Sequence, residues 1–83
     1  MELQARVSDV IADELAVPVA QLTAESRFHD DYGLDEFGIA ELVLRVNEEF
    51  GADLSFADVE AVSTVRDLVD LVVRRTPRST PHP

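Results

Sequence analysis

The chain has 83 residues, 46% apolar and 29% charged, with a formal net charge of −10 and no cysteine. That length supports one small folded domain, and the composition excludes a disordered chain, disulfides, thiolate metal sites and thiol catalysis. So negative a surface repels nucleic-acid phosphates and anionic lipid and attracts basic protein patches. No apolar run approaches the roughly 18 to 20 residues of a membrane span, and Met1-Glu2-Leu3-Gln4 lacks the regions of a signal peptide. A cytoplasmic monomer that binds neither nucleic acid nor membrane is the expectation.

Leu3, Val7, Val10, Ile11 and Leu15 recur at i, i+4, i+7, i+8 and i+12, one stripe of a helix, and Pro18 stops it. From Val19 to Leu34 no period holds. The segment reads as a long loop tethered by two apolar anchors, Leu22 and Phe28. Asp35 is a good N-cap, so the second helix is predicted to start at Glu36. Its buried stripe is Ile39, Leu42, Val43, Val46 and Phe50, and Gly51 supplies a left-handed stop. Ser55-Phe56-Ala57-Asp58-Val59-Glu60-Ala61 reads as a brief helix, with Ser55 capping and Asp58 at the capping-box distance. Ser63 or Thr64 caps a last helix with the stripe Val65, Leu68, Val69, Val72 and Val73, ending in Arg74 and Arg75, which suit the negative end of a helix dipole. Residues 1–75 form the domain. Residues 76–83, with three prolines and no apolar period, are predicted to be a frayed tail.

The sum is an all-α, four-helix bundle: three longer helices, one short one, and a long loop between the first two. The charge is concentrated. Residues 30–60 hold ten acids (Asp30, Asp31, Asp35, Glu36, Glu41, Glu48, Glu49, Asp53, Asp58 and Glu60) against one base, Arg45. At about 100° per residue, Phe37, Glu41, Leu44 and Glu48 share one face of the second helix. Scattered apolar residues on a solvated face are ordinary. Acids around a shallow apolar knob are also what a basic partner surface reads. His29 and His82 have no second histidine at ligand spacing, so no metal site is expected.

Several landmarks, in order and without gaps, resemble the acyl carrier protein family from about Leu3 to Val73. Ile11-Ala12-Asp13-Glu14-Leu15-Ala16-Val17 is similar to the end of its first helix, and Phe28 to its loop phenylalanine. Asp31-Tyr32-Gly33-Leu34-Asp35 resembles the family's approach to the attachment site. Glu41-Leu42-Val43 and Glu48-Glu49-Phe50 resemble its recognition helix, and Ser63-Thr64-Val65-Arg66-Asp67-Leu68 the start of its last helix. The resemblance implies a serine after Asp35 bearing 4'-phosphopantetheine, the arm that holds acyl groups as thioesters. Glu36 stands there, followed by Phe37 in place of the usual leucine and by Gly38.

A carboxylate has no hydroxyl to attack coenzyme A, so no phosphopantetheine cofactor is expected at Glu36. Ser26 and Ser55 are too far along the chain to replace the missing serine. A first-turn carboxylate also has a plain structural use, stabilising the helix dipole by about 0.3 to 1 kcal/mol. The family's recognition surface is retained. The resemblance therefore implies a module that docks basic patches of synthases and of acyl- or phosphopantetheinyl-transferases in fatty acid, polyketide or peptide assembly, using Glu36, Phe37, Glu41, Leu44 and Glu48. The alternative is an ordinary carrier whose serine has been substituted by Glu36. With no tether to deliver it, an acyl chain beneath the second helix is not expected. Catalysis is not expected either: there are no paired histidines and no glycine-rich phosphate loop, and exposed carboxylates lack the burial that tunes them for acid or base work.

Overall fold

The computed structural model describes residues 3–76, which fold as α1 (Leu3–Leu15), a 3₁₀ turn (Val19–Gln21), α2 (Phe28–Tyr32), α3 (Glu36–Phe50), α4 (Phe56–Glu60) and α5 (Val65–Arg75). The architecture is the all-α bundle that the sequence predicts, with one short helix more. The tail and His82 lie outside the described residues, except Thr76, whose N–H and hydroxyl both bond to Val72 O.

Each long helix is stopped by local chemistry. After α1, Ala16 takes a left-handed conformation (φ 58°) and the Val17 N–H reaches Ala12 O at 3.0 Å, so the turn is complete before Pro18. After α3, Gly51 (φ 60°) donates its N–H to Asn47 O at 2.8 Å. The Asn47 side chain then accepts the Leu54 N–H at 3.0 Å, which turns the chain toward α4. The predicted capping box of Ser55 with Asp58 is present, and the structure adds a second, Thr64 with Asp67. Thr64 is the cap of α5, and the Ser63 N–H donates to the same Asp67 carboxylate.

The core is one cluster contributed by every long helix. Val7 and Ile11 of α1, Leu42, Val43 and Val46 of α3, and Val65, Leu68, Leu71 and Val72 of α5 form one buried cluster with the fully buried ring of Phe28. Two details differ from the sequence reading. On α5 the buried residue is Leu71, whereas Val73 is half-exposed and outside the cluster. A helix packed in a groove between α1 and α3 buries a broader arc than one stripe, and Leu71 lies within that arc.

The second correction concerns the loop. Its last part is α2, whose five residues are too few to display a 3.6-residue period. Gly33 (φ 68°) ends α2 with its N–H on His29 O, and the Leu34 N–H reaches back to Phe28 O at 3.0 Å. The loop is bonded to the start of α5 by three backbone hydrogen bonds: Phe28 N–H to Ser63 O, Val65 N–H to Ser26 O and Arg66 N–H to Ala24 O. Leu22 packs on the core from the same segment, so both predicted anchors act as tethers.

Ion pairs join elements at the surface. Arg45 reaches from α3 to Asp13 (2.9 Å) and Glu14 (3.0 Å) at the end of α1, and these hydrogen bonds, Glu14 first, hold its pKa above the ordinary value. Arg75 grips both carboxylate oxygens of Asp58 at 2.9 Å, tying the end of α5 to α4. The Asp58 carboxyl is held below the ordinary aspartate range, chiefly by the Ser55 N–H and further by the Ser55 side chain and Arg75.

Two outcomes follow from this packing. Phe28→Ala is expected to lower unfolding free energy by about 3 to 5 kcal/mol in urea titration, a large part of what a small domain has. Asp58 has a depressed folded-state pKa, so its contribution is full above the unfolded-state aspartate pKa and fades as pH falls through the folded value. Asp58→Asn is therefore expected to be less stable than the parent at neutral pH, with the gap closing below the carboxylate range in thermal melts across pH.

Candidate functional site

The start of α3 is built by the turn that precedes it. Asp35 adopts an extended conformation and its Oδ1 accepts the Gly38 N–H at 2.8 Å, while its carbonyl accepts the Ile39 N–H at 2.9 Å. The side-chain bond satisfies one of the first free N–H groups of α3, and the bond to the carbonyl is the first of the helix's own ladder. His29 Nδ1–H donates to Leu34 O at 3.0 Å and steadies the turn from the α2 side. Gly38 sits close under its neighbours: a Cβ there would lie 3.2 Å from Leu34 Cδ2 and 3.4 Å from Asp35 Oδ1, so Leu34 would have to shift slightly. The helix-propensity cost of glycine, up to about 1 kcal/mol, goes with close packing of Leu34 over the first turn.

This junction sends Glu36 and Phe37 outward. Glu36 is exposed and Phe37 is 74% exposed. Along the same face, Leu44 is 56% exposed, with Glu41 and Glu48 exposed beside it. All five sequence-predicted site residues therefore lie at the surface of α3, with Phe37 to Glu48 spanning about 16 Å along its axis. Among the described residues none of the three glutamates makes an ion pair. Arg45, one turn after Glu41, pairs instead with Asp13 and Glu14 of α1.

One feature of the site is absent from the sequence reading. An open groove of about 340 Å³ runs between the first turns of α3 and α4. Half-buried Ile39 and Ala40 line it from α3, Phe56 and Val59 from α4, and buried Val62 from the segment that follows. Glu36, Phe37 and Glu60 belong to the same lining. Phe56 is 77% exposed, so two aromatic rings stand in solvent beside one groove. The cue in the sequence is Phe56 immediately after a capping serine, where a large apolar residue on a short helix must either pack or be displayed.

A family model described as "Phosphopantetheine attachment site" matches residues 5–72. The chain belongs to this family. Among solved structures, an acyl carrier protein from Enterococcus faecalis is 29% identical, with a TM-score of 0.71 over 88% of this chain and 92% of that one. The apo doublet acyl carrier protein from prodigiosin biosynthesis has a TM-score of 0.75 at 20% identity, covering 96% of this chain. This chain spans 38% of that doublet, and at such identity the likeness shows the fold.

Carriers of this family are non-catalytic, ordinarily bear 4'-phosphopantetheine and interact with biosynthetic enzymes. The residues at the start of α3 do not fit that group. The turn from Glu36 to Ile39 contains no hydroxyl. Ser26 is buried, its Oγ accepting the Thr23 N–H at 3.1 Å and 3.0 Å from Thr23 Oγ. Ser55 Oγ accepts the Asp58 N–H as the cap of α4. No group of three His, Cys, Asp or Glu among the described residues is arranged to hold a metal, and no described helix is long and apolar enough to cross a membrane.

Removal of the Asp35 cap isolates its contribution. Asp35→Ala is expected to lower stability by about 1 kcal/mol, whereas Asp35→Asn, which keeps an acceptor, is expected to lose less. Denaturant titration of the two variants beside the parent measures the difference.

Proposed function

We propose that this chain is a carrier-fold interaction module that docks enzymes of fatty acid, polyketide or peptide biosynthesis without carrying a thioester. The observation that carries the reading is the outer face of α3: exposed Glu36, Glu41 and Glu48 surround exposed Phe37 and Leu44. Rim charges of one sign steer a partner of the other sign into register, and an apolar centre gives the contact its hydrophobic contribution. The partner surface is therefore basic with an apolar recess, as expected of a synthase, an acyltransferase or a phosphopantetheinyl transferase that handles acidic carriers.

Glu36 removes the reason for such an enzyme to act on the chain while leaving a reason to bind it. Its fixed negative charge lies at the position where the resemblance puts a loaded carrier's phosphodiester. A docking protein of this kind scaffolds an assembly or competes with a working carrier.

Capture from the source cell, with the retained biosynthetic enzymes measured by quantitative mass spectrometry, tests the proposal. Glu41→Lys combined with Glu48→Lys is expected to reduce their retention by about tenfold or more, because like charges then face each other. An unchanged set of retained enzymes would sink the α3 docking surface.

A further inference from the structure

We infer that residues 53–61, with α4 at their centre, form a hinged lid on the bundle, latched by the Arg75–Asp58 pair so that the last turn of α5 controls how often the lid lifts. The burial pattern marks its limits. Ala52 and Val62 belong to the core cluster, at 0% and 5% exposure, and no residue between them is buried. Both ends of the lid are therefore fixed. The stretch between them rests on the bundle through half-buried Leu54 and Val59. Because the lid supplies none of the buried residues, α1, α3 and α5 keep their shared cluster while it is open.

With five residues, α4 is too short to stay helical through its own bonds. One carboxylate holds it. Asp58 Oδ2 accepts the Ser55 N–H at 2.8 Å and closes the capping box, and the same carboxylate takes Arg75 on both oxygens at 2.9 Å. The Asp58 side chain is only 12% exposed, and two-point arginine–carboxylate pairs are the strong members of their class. Loss of Arg75 therefore weakens the first turn of α4 and its attachment to α5 together. The arginine is itself held in place, since the next residue, Thr76, bonds to Val72 O through its N–H at 2.8 Å and its hydroxyl at 2.6 Å.

The other end has the backbone of a hinge. Gly51 (φ 60°) and Asp53 (φ 55°) take left-handed conformations on either side of buried Ala52. A residue with a side chain is disfavoured there, so Asp53 relaxes when the lid is released. Among the described residues, the remaining polar tie from the lid to the bundle is the Leu54 N–H on Asn47 Oδ1 at 3.0 Å. As the lid lifts, Phe56 and Val59 leave Ile39 and Ala40, and the recess between α3 and α4 deepens toward Val62. Its depth is thus set from a distant helix end.

Amide hydrogen exchange on the intact chain, followed in ¹H–¹⁵N spectra, tests the inference. The N–H groups of Leu54, Ser55, Asp58 and Ala61 report on the lid, because each is hydrogen-bonded in its closed form. Buried Leu42 and Val46 of α3 report on global unfolding. A lid that opens by itself exchanges faster than α3 in the parent chain. Arg75→Gln is predicted to speed lid exchange about fivefold. Ile11→Val trims the core on α1 and is predicted to speed α3 exchange several-fold while the lid rates stay as they are. Circular dichroism verifies that both variants are folded. Lid amides that accelerate with α3 in Ile11→Val would show that α4 comes away only when the whole domain unfolds, which overturns the lid. Unchanged lid rates in Arg75→Gln overturn the latch.

Discussion

Burial of the Phe28 ring sets where α3 begins, because it holds the long first connection against the last helix. The ring is fully buried in the core cluster to which α1, α3 and α5 contribute, and its backbone N–H is bonded to Ser63 O. From that fixed point only α2 and the Gly33 turn intervene before Asp35 caps α3. The loop that leads to the start of α3 is thereby tied to the core and to the start of α5. A loop of this length without such an anchor would leave Glu36 and Phe37 without a defined position, and no partner could read them as a pattern.

The distribution of arginines completes the surface. Arg45 is spent on Asp13 and Glu14, Arg66 on Glu25, Arg75 on Asp58 and Arg27 on Asp30, while Arg6 lies 5.4 Å from the ring centroid of Phe50. Exposed pairs of this sort contribute little to stability, commonly under about 1 kcal/mol each. Their larger effect is on what remains unpaired. The cations answer acids elsewhere, and among the described residues none answers Glu36, Glu41, Glu48 or Glu60. These unpaired carboxylates lie on α3 and α4, the helices that display Phe37 and Phe56.

Much of this was legible in the sequence for local reasons. Caps, stops and apolar periods are written in contiguous residues, so Asp35, Gly51, Ser55 with Asp58 and Thr64 mark the ends of helices that the structure contains. What escaped depends on how elements meet. Five residues of α2 cannot show a period, and Leu71 is buried in place of Val73 because α5 packs against both α1 and α3. The groove depends on α4 lying beside the first turn of α3, a placement held by Arg75 on Asp58 and by Asn47 on Leu54. Neither pair of partners is adjacent in sequence, and no local pattern announces either one.

The central claim is that the carrier framework around α3 is intact and that the loss of the tether is confined to Glu36. Intact-mass measurement after incubation with coenzyme A and a broad-specificity phosphopantetheinyl transferase, on the parent chain and on Glu36→Ser, addresses it most directly. The account predicts an unchanged mass for the parent and the mass of one added phosphopantetheine arm for Glu36→Ser. An arm gained by the parent would contradict it, as would a folded Glu36→Ser variant that the transferase leaves unmodified.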